Sequence, residues 1–221
     1  MKSELGNRVA VIVGALCIGL AWAASHNVRA DNRMVKIVMI GDSLTEGKGV
    51  PEGDRIPNQL EFALKAKGHS VAITNAGVGG AVAASGLGTL KRVVTNDTDA
   101  VILELGWWDM TGGRDPNVTR AALAAILTDL EARRVVVLLC GVRAHTNFGD
   151  EHEKAYAAMF ADLAREYDVL FYPAFNETFV DDAQLKALDG LHPNAAGNKA
   201  VVMQILPTVE ALIDRARRKD R

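Results

Sequence analysis

Ser43, Asp189 and His192 are the residues whose types and order could do chemistry. A serine hydroxyl is a weak nucleophile until a base takes its proton, and the base needs an acid to orient it. The serine sits in the tight run Gly41-Asp42-Ser43-Leu44. The acid and the imidazole sit three residues apart in Asp189-Gly190-Leu191-His192-Pro193, near the other end of the chain. Such a set supports acyl transfer, with Ser43 attacking a carbonyl, His192 as base and Asp189 as orienting acid. Each residue also has a plainer reading. Ser43 fits a helix N-cap, with Glu46 three residues on as in a capping box. Asp189 and His192 each fit an ordinary surface loop. Their agreement in order and position favours catalysis.

Acyl transfer also needs N–H donors for the oxygen that becomes negative. Ser43 N–H can serve if its turn opens into a helix. Gly80, in Asn75-Ala76-Gly77-Val78-Gly79-Gly80, can serve because a glycine lets substrate approach the backbone closely. The plainer reading of these glycines is a flexible turn. They form neither a P-loop nor a dinucleotide fingerprint.

The elements that must position these groups alternate. Strand-like runs are expected at Val35–Ile40, Val71–Thr74, Ala100–Leu105, Val135–Leu139 and Val169–Tyr172. Helical patterns cover Pro57–Lys67, Leu87–Val94, Val118–Arg133, Glu151–Glu166 and Ala196–Arg217, the last with a kink expected at Pro207. Leu123, Ile126, Leu127 and Leu130 share one helix face, and Tyr156, Met159, Phe160 and Leu163 share another. Alternation at these lengths implies βαβ units, a parallel sheet and a three-layer α/β/α domain. Ligands in such folds bind beyond the carboxyl ends of the strands. The runs Gly41–Leu44, Asn75–Gly80, Gly106–Asp109 and Gly141–Gly149 all fall there.

A chain of 221 residues suits one sizeable core. Its net charge of −2 leaves no nucleic-acid footprint. Arg215-Ala216-Arg217-Arg218-Lys219-Asp220-Arg221 reads as a solvated helix end. A weak contact with an anionic membrane surface is its alternative. At the other end, Lys2 and Arg8 precede an apolar stretch of 16 residues, Val9 to Ala24, with small residues at Ala24, Ser25 and Ala30. This pattern predicts a signal peptide over residues 1–30 and a mature domain over 31–221, secreted or periplasmic. An uncleaved anchor is the competing reading, though the stretch is short of the ~20 residues that span a bilayer. Cleavage would remove Lys2, Arg8 and Arg29 against Glu4, moving the net charge from −2 to −4. Cys140 would then be the one cysteine left, a small core residue with no disulfide partner.

Three blocks of this sequence resemble the SGNH (GDSL-type) hydrolase superfamily, over roughly residues 35–213. Gly41-Asp42-Ser43-Leu44-Thr45 is similar to its first block, Asn75-Ala76-Gly77-Val78-Gly79-Gly80 to its second and Asp189-Gly190-Leu191-His192-Pro193-Asn194 to its last. Asn147-Phe148-Gly149 resembles a substrate-side loop of the secreted arylesterase, thioesterase and lysophospholipase branch. The resemblance implies a five-stranded flavodoxin-like sheet and hydrolysis of a small-molecule acyl ester or thioester without a cofactor. It also implies Ser43 as nucleophile, Asp189 and His192 as acid and base, and Gly80 as an oxyanion donor.

The third block departs from the pattern. The family has Gly-x-Asn-Asp, whose asparagine supplies the third oxyanion donor. Here the residues are Gly106-Trp107-Trp108-Asp109, with Trp108 in place of the asparagine. Trp108 could offer its indole N–H, narrow the acyl pocket, or mark a catalytically impaired domain that binds acyl or glycan ligands. A carbohydrate O-acetylesterase is a further enzyme reading. Other chemistry-bearing residues are weaker. His145 and His152 flank a loop without metal-ligand spacing, and His69 is expected to be exposed after Gly68. Phe148, Tyr156, Phe160, Phe171 and Phe175 are expected in the core or along a pocket.

Overall fold

The structure is a computed structural model, and it describes residues 33–144 and 147–219. The expected leader and His145 lie outside the described residues. Five strands form one parallel sheet: β1 (Val35–Gly41), β2 (Val71–Gly77), β3 (Ala100–Glu104), β4 (Val136–Cys140) and β5 (Leu170–Tyr172). Their order is β2-β1-β3-β4-β5. The chain reverses its direction of travel across the sheet between β1 and β3, and such a switch point is where ligands bind. Gly41 pairs with Gly77 on one side and with Glu104 on the other, so three strands end level at that point.

Among the described residues, eight α-helices connect and cover the strands: α1 (Ser43–Glu46), α2 (Ile56–Ala66), α3 (Ala83–Val93), α4 (Trp107–Thr111), α5 (Pro116–Ala132), α6 (Asp150–Glu166), α7 (Glu177–Val180) and α8 (Ala195–Lys219). Local chemistry sets several of their ends. Pro57 lies in the first turn of α2, and Gly68, at φ +88°, follows its last turn. Asp115 caps α5 by accepting from Asn117 N–H, with Pro116 at the first helical position.

The sheet is covered on both faces, so its central strands are buried throughout. The period of two is still visible in β1. Val38 and Ile40 join the core beneath α3, α5 and α6. Val35, Ile37 and Met39 join the opposite core beneath α2 and α8. The two helix faces expected from spacing, Leu123/Ile126/Leu127/Leu130 and Tyr156/Met159/Phe160/Leu163, are buried in the first of these cores. Cys140 lies fully buried in the second.

The sequence reading and the structure differ in several elements. α1, α4 and α7 are additional helices of four or five residues, too short to carry a 3.6-residue period. α3 begins at Ala83, before the expected Leu87, because Asp109 accepts a hydrogen bond from Ala83 N–H at 2.8 Å. α8, expected over Ala196–Arg217, runs from Ala195 to Lys219 with Pro207 inside it. Phe148 is 53% exposed, outside the core.

Candidate active site

β1 ends in Gly41, and the chain turns at once into α1. Asp42, not Ser43, is the N-cap, and its Oδ1 accepts from Leu44 N–H at 2.9 Å. Ser43 is therefore the first helical residue, and its N–H points out of the helix start without an intrahelical partner. α1 lies against β2: a Cβ on Gly77 would come within 2.1 Å of Glu46 N. Val78 N–H donates to the Gly41 carbonyl at 3.0 Å, carrying the glycine run of the second block past the Ser43 turn.

Beneath this turn lies a carboxyl pair that sequence reading missed. Glu104, the last residue of β3, and Asp42 are both fully buried. Glu104 Oε2 accepts from Thr45 Oγ1 at 2.8 Å and from Asp42 N–H at 3.4 Å. Burial, followed by the charge of Asp42, pushes the Glu104 carboxyl well above its usual range. Burial likewise pushes Asp42 up to about 7. No spacing in the sequence marks this pair, because it forms only when β1 and β3 align.

His192 comes from the loop before α8, 149 residues after Ser43. Its Nε2 lies 2.9 Å from Ser43 Oγ, and its Nδ1 lies 2.7 Å from Asp189 Oδ2. Asp189 Oδ1 accepts from the backbone N–H groups of Leu191 and His192, both at 3.0 Å. These backbone bonds, with the His192 ring as a further donor, hold the Asp189 carboxyl well below the usual carboxylate range. An ionised carboxylate only accepts, so Nδ1 carries a proton and Nε2 is left to accept from the Ser43 hydroxyl. Ser43 and His192 are buried, whereas the Asp189 side chain is 45% exposed. Asn194 staples the loop: Nδ2 donates to the Gln184 and Lys186 carbonyls, and Oδ1 accepts from Gly197 N–H.

Three N–H donors near the switch point are free of protein acceptors among the described residues: Ser43 N–H, Gly80 N–H and Trp108 Nε1–H. Gly80 is exposed at φ +75°, a conformation that favours glycine. Gly106 opens α4 at φ +121°, and a Cβ there would also meet Phe160 at 2.9 Å. Asp109 ties α4 to α3 through Ala83 N–H, and Arg114 Nε lies 2.9 Å from its Oδ1. The Trp107 and Trp108 rings pack edge to face, 4.8 Å apart.

A pocket of about 180 Å³ opens at Ser43 and His192. Leu44, Trp107, Phe179, Val180 and Leu191 make most of its wall apolar, with Thr111, Asn176 and Lys186 adding polar groups. Trp107, rather than Trp108, lines this pocket, so the reading in which Trp108 narrows it draws no support from the lining. A larger cleft of about 490 Å³, lined by Arg134, Tyr167 and Arg218 among others, lies where β4 and β5 begin. It contains none of the candidate groups.

The other two described histidines, His69 and His152, are engaged structurally. His152 Nε2 lies 2.9 Å from the Met110 carbonyl oxygen. His69, expected to be exposed, is 3.0 Å from Glu210 Oε1 with a side chain only 19% exposed. Among the described residues no group of three side chains could hold a metal ion.

A parallel sheet in the order 2-1-3-4-5, with serine, histidine and aspartate in one hydrogen-bonded line at its carboxyl edge, is the architecture of SGNH-class hydrolases. Residues 39–200 match the model of the GDSL-like Lipase/Acylhydrolase family. The chain is 30% identical over 159 residues to Thioesterase 1/protease 1/lysophospholipase L1 of Escherichia coli (strain K12), covering 72% of this chain and 75% of that protein. It is 27% identical over 187 residues to the arylesterase of Vibrio mimicus, covering 84% and 89%. The crystal structure of AlinE4, an SGNH-hydrolase family esterase, superposes with a TM-score of 0.68 at 33% identity, covering 81% of this chain and 96% of that one. The chain belongs to the GDSL-like lipase/acylhydrolase family and is a hydrolase of the SGNH type.

Proposed function

We propose that this protein is a serine esterase for small acyl esters or thioesters. Ser43 is the nucleophile, His192 the general base and Asp189 the acid that orients it. The observation that carries this reading is the unbroken line Asp189 Oδ2, His192 Nδ1, His192 Nε2 and Ser43 Oγ, with separations of 2.7 and 2.9 Å. Ser43 Oγ attacks the substrate carbonyl as its proton passes to His192 Nε2. The imidazolium then protonates the leaving alcohol or thiol. Water, deprotonated by His192, releases the acid and restores Ser43.

Ser43 N–H and Gly80 N–H hold the oxyanion, and the Trp108 indole N–H takes the third place. Support for Trp108 is that its Nε1 is buried without a hydrogen-bond partner among the described residues. Leaving such a donor buried and unbonded costs about 1–3 kcal/mol; Trp108 lies outside the lining of the Ser43 pocket, so donation to an oxyanion requires its ring to turn toward it.

The pocket of about 180 Å³ supports a short acyl or alcohol group, since sites for drug-sized ligands run to roughly 300–1,000 Å³. We further propose that residues 1–30 are an export signal and that the domain over 31–221 works outside the cytoplasm.

A fluorophosphonate probe and p-nitrophenyl esters of two to sixteen carbons test the reading. Rapid labelling that is lost in Ser43→Ala, with turnover greatest on the short esters, is the expected result. A folded protein that neither labels nor turns over would mark a binding domain and overturn the catalytic assignment.

A further inference from the structure

The carboxyl pair under the nucleophile turn has an unusual bonding pattern. Glu104 touches both flanks of Ser43: its Oε2 accepts from Asp42 N–H on one side and from Thr45 Oγ1 on the other. β1 must end in glycine to admit it, because a Cβ on Gly41 would lie 2.5 Å from Glu104 Oε2 and 2.0 Å from Thr45 Oγ1. The other oxygens of the pair, Glu104 Oε1 and Asp42 Oδ2, are buried without a hydrogen-bond partner among the described residues. No basic side chain pairs with either carboxyl among the described residues. Cys140, level with Glu104 on β4, adds only a buried thiol. The other charges acting on Asp42 are those of Asp109 and Glu46, both acidic.

Two carboxylates buried under one turn without a cation would each lose hydration and repel the other, and such groups neutralise instead. A neutral glutamic acid still accepts through its carbonyl oxygen, so both bonds to the turn survive protonation. It also keeps a negative charge away from an oxyanion that forms one residue along the chain.

We propose that Glu104, in its neutral carboxylic-acid form, is a positioning residue that holds the Ser43 turn in its reactive geometry. Glu104 does not touch substrate. It acts by fixing Asp42 and Thr45, and through them the direction of Ser43 N–H and Oγ. The upward shifts of both carboxyls agree with this protonation state. The proposal rests on Ser43 being the nucleophile.

Glu104→Gln is always neutral and keeps an acceptor, whereas Glu104→Ala removes the acceptor. Small displacements of a reacting group cost up to about 10²-fold in rate. Steady-state kinetics on a short p-nitrophenyl ester should give Glu104→Gln a kcat within about threefold of wild type. Glu104→Ala should lose about tenfold or more in kcat with KM within about twofold. The rate of fluorophosphonate labelling should follow kcat, since it reports the turn without the substrate. Thr45→Val, which removes the donor to Glu104, should resemble Glu104→Ala, and Thr45→Ser should restore the rate. These variants keep the proposal testable should Glu104→Ala not fold. A Glu104→Gln protein that is unfolded, or as slow as Glu104→Ala, would show that the charged form is the working one and overturn the proposal. So would wild-type kcat in Glu104→Ala or Thr45→Val. Ser43→Ala, assayed alongside, separates the two ideas. Full activity there sinks the nucleophile assignment, whereas an inactive Ser43→Ala beside an unimpaired Glu104→Ala sinks only the positioning role.

Discussion

Asp189 decides which nitrogen His192 offers to Ser43. Its carboxylate takes two backbone N–H bonds and one from the ring, so the ring proton stays on Nδ1. Asp189→Asn can present an N–H to Nδ1 and so favour the wrong tautomer. Its kcat should fall by about 10²-fold or more while the fold is kept, measured on a short ester with circular dichroism as the folding control. His192→Ala should fall further, and the Ser43→Ala/His192→Ala double variant should be little slower than either single one, because such groups act as a unit. Trp108 is tested by Trp108→Phe, which keeps most of the ring volume and deletes the N–H. If the indole is the third oxyanion donor, kcat should drop by roughly 10²-fold with little change in KM. An unchanged kcat would exclude the donor role.

At the scale of elements, the site depends on how tightly α1 sits against the ends of β1, β2 and β3. Gly77 has no room for a side chain, its nearest neighbour being the backbone of α1. Gly77→Ala should therefore cost about 1–3 kcal/mol by overpacking, read as a lower urea midpoint, and should slow turnover by pushing the Ser43 turn outward. The carboxyl pair should leave its mark on the pH dependence of stability. Asp42 rises from 3.8 when unfolded to about 7 when folded, so the folded state holds the proton longer. Its contribution is full below about pH 4 and is lost as pH rises through about 7. Glu104 has the same sign. Asp189, depressed in the fold, has the opposite sign, and its contribution is lost as pH falls below the unfolded value. Asp42→Asn can still cap α1, so its Tm should decline less than that of wild type between pH 4 and 8. A decline of equal size would show that Asp42 ionises freely in the fold.

For the molecule as a whole, export and metal independence are the open tests. Protein recovered from the periplasm or medium should begin at Ala24, Ser25 or Asp31 by mass spectrometry. A chain intact from Met1 in the membrane fraction would mark an anchor instead. EDTA should leave turnover unchanged, and loss restored by zinc would refute a metal-free mechanism. The linear sequence was enough to determine the five strands, the long helices and their buried faces. Those features come from local periodicity and turn residues, which short segments carry by themselves. It also marked Ser43, Asp189, His192 and Gly80, because each sits in a short run of distinctive composition. Tertiary structure alone brought His192 to within 2.9 Å of a serine 149 residues away. It alone put Trp107 on the pocket wall and left the Trp108 indole N–H buried without a partner among the described residues. The Asp42–Glu104 pair belongs to the same class. Glu104 falls inside an expected strand, where nothing local marks it as a neighbour of Asp42, and only the parallel register of β1 and β3 buries it under the turn. Contacts between strands distant in sequence depend on register and crossover geometry, which no window of neighbouring residues contains.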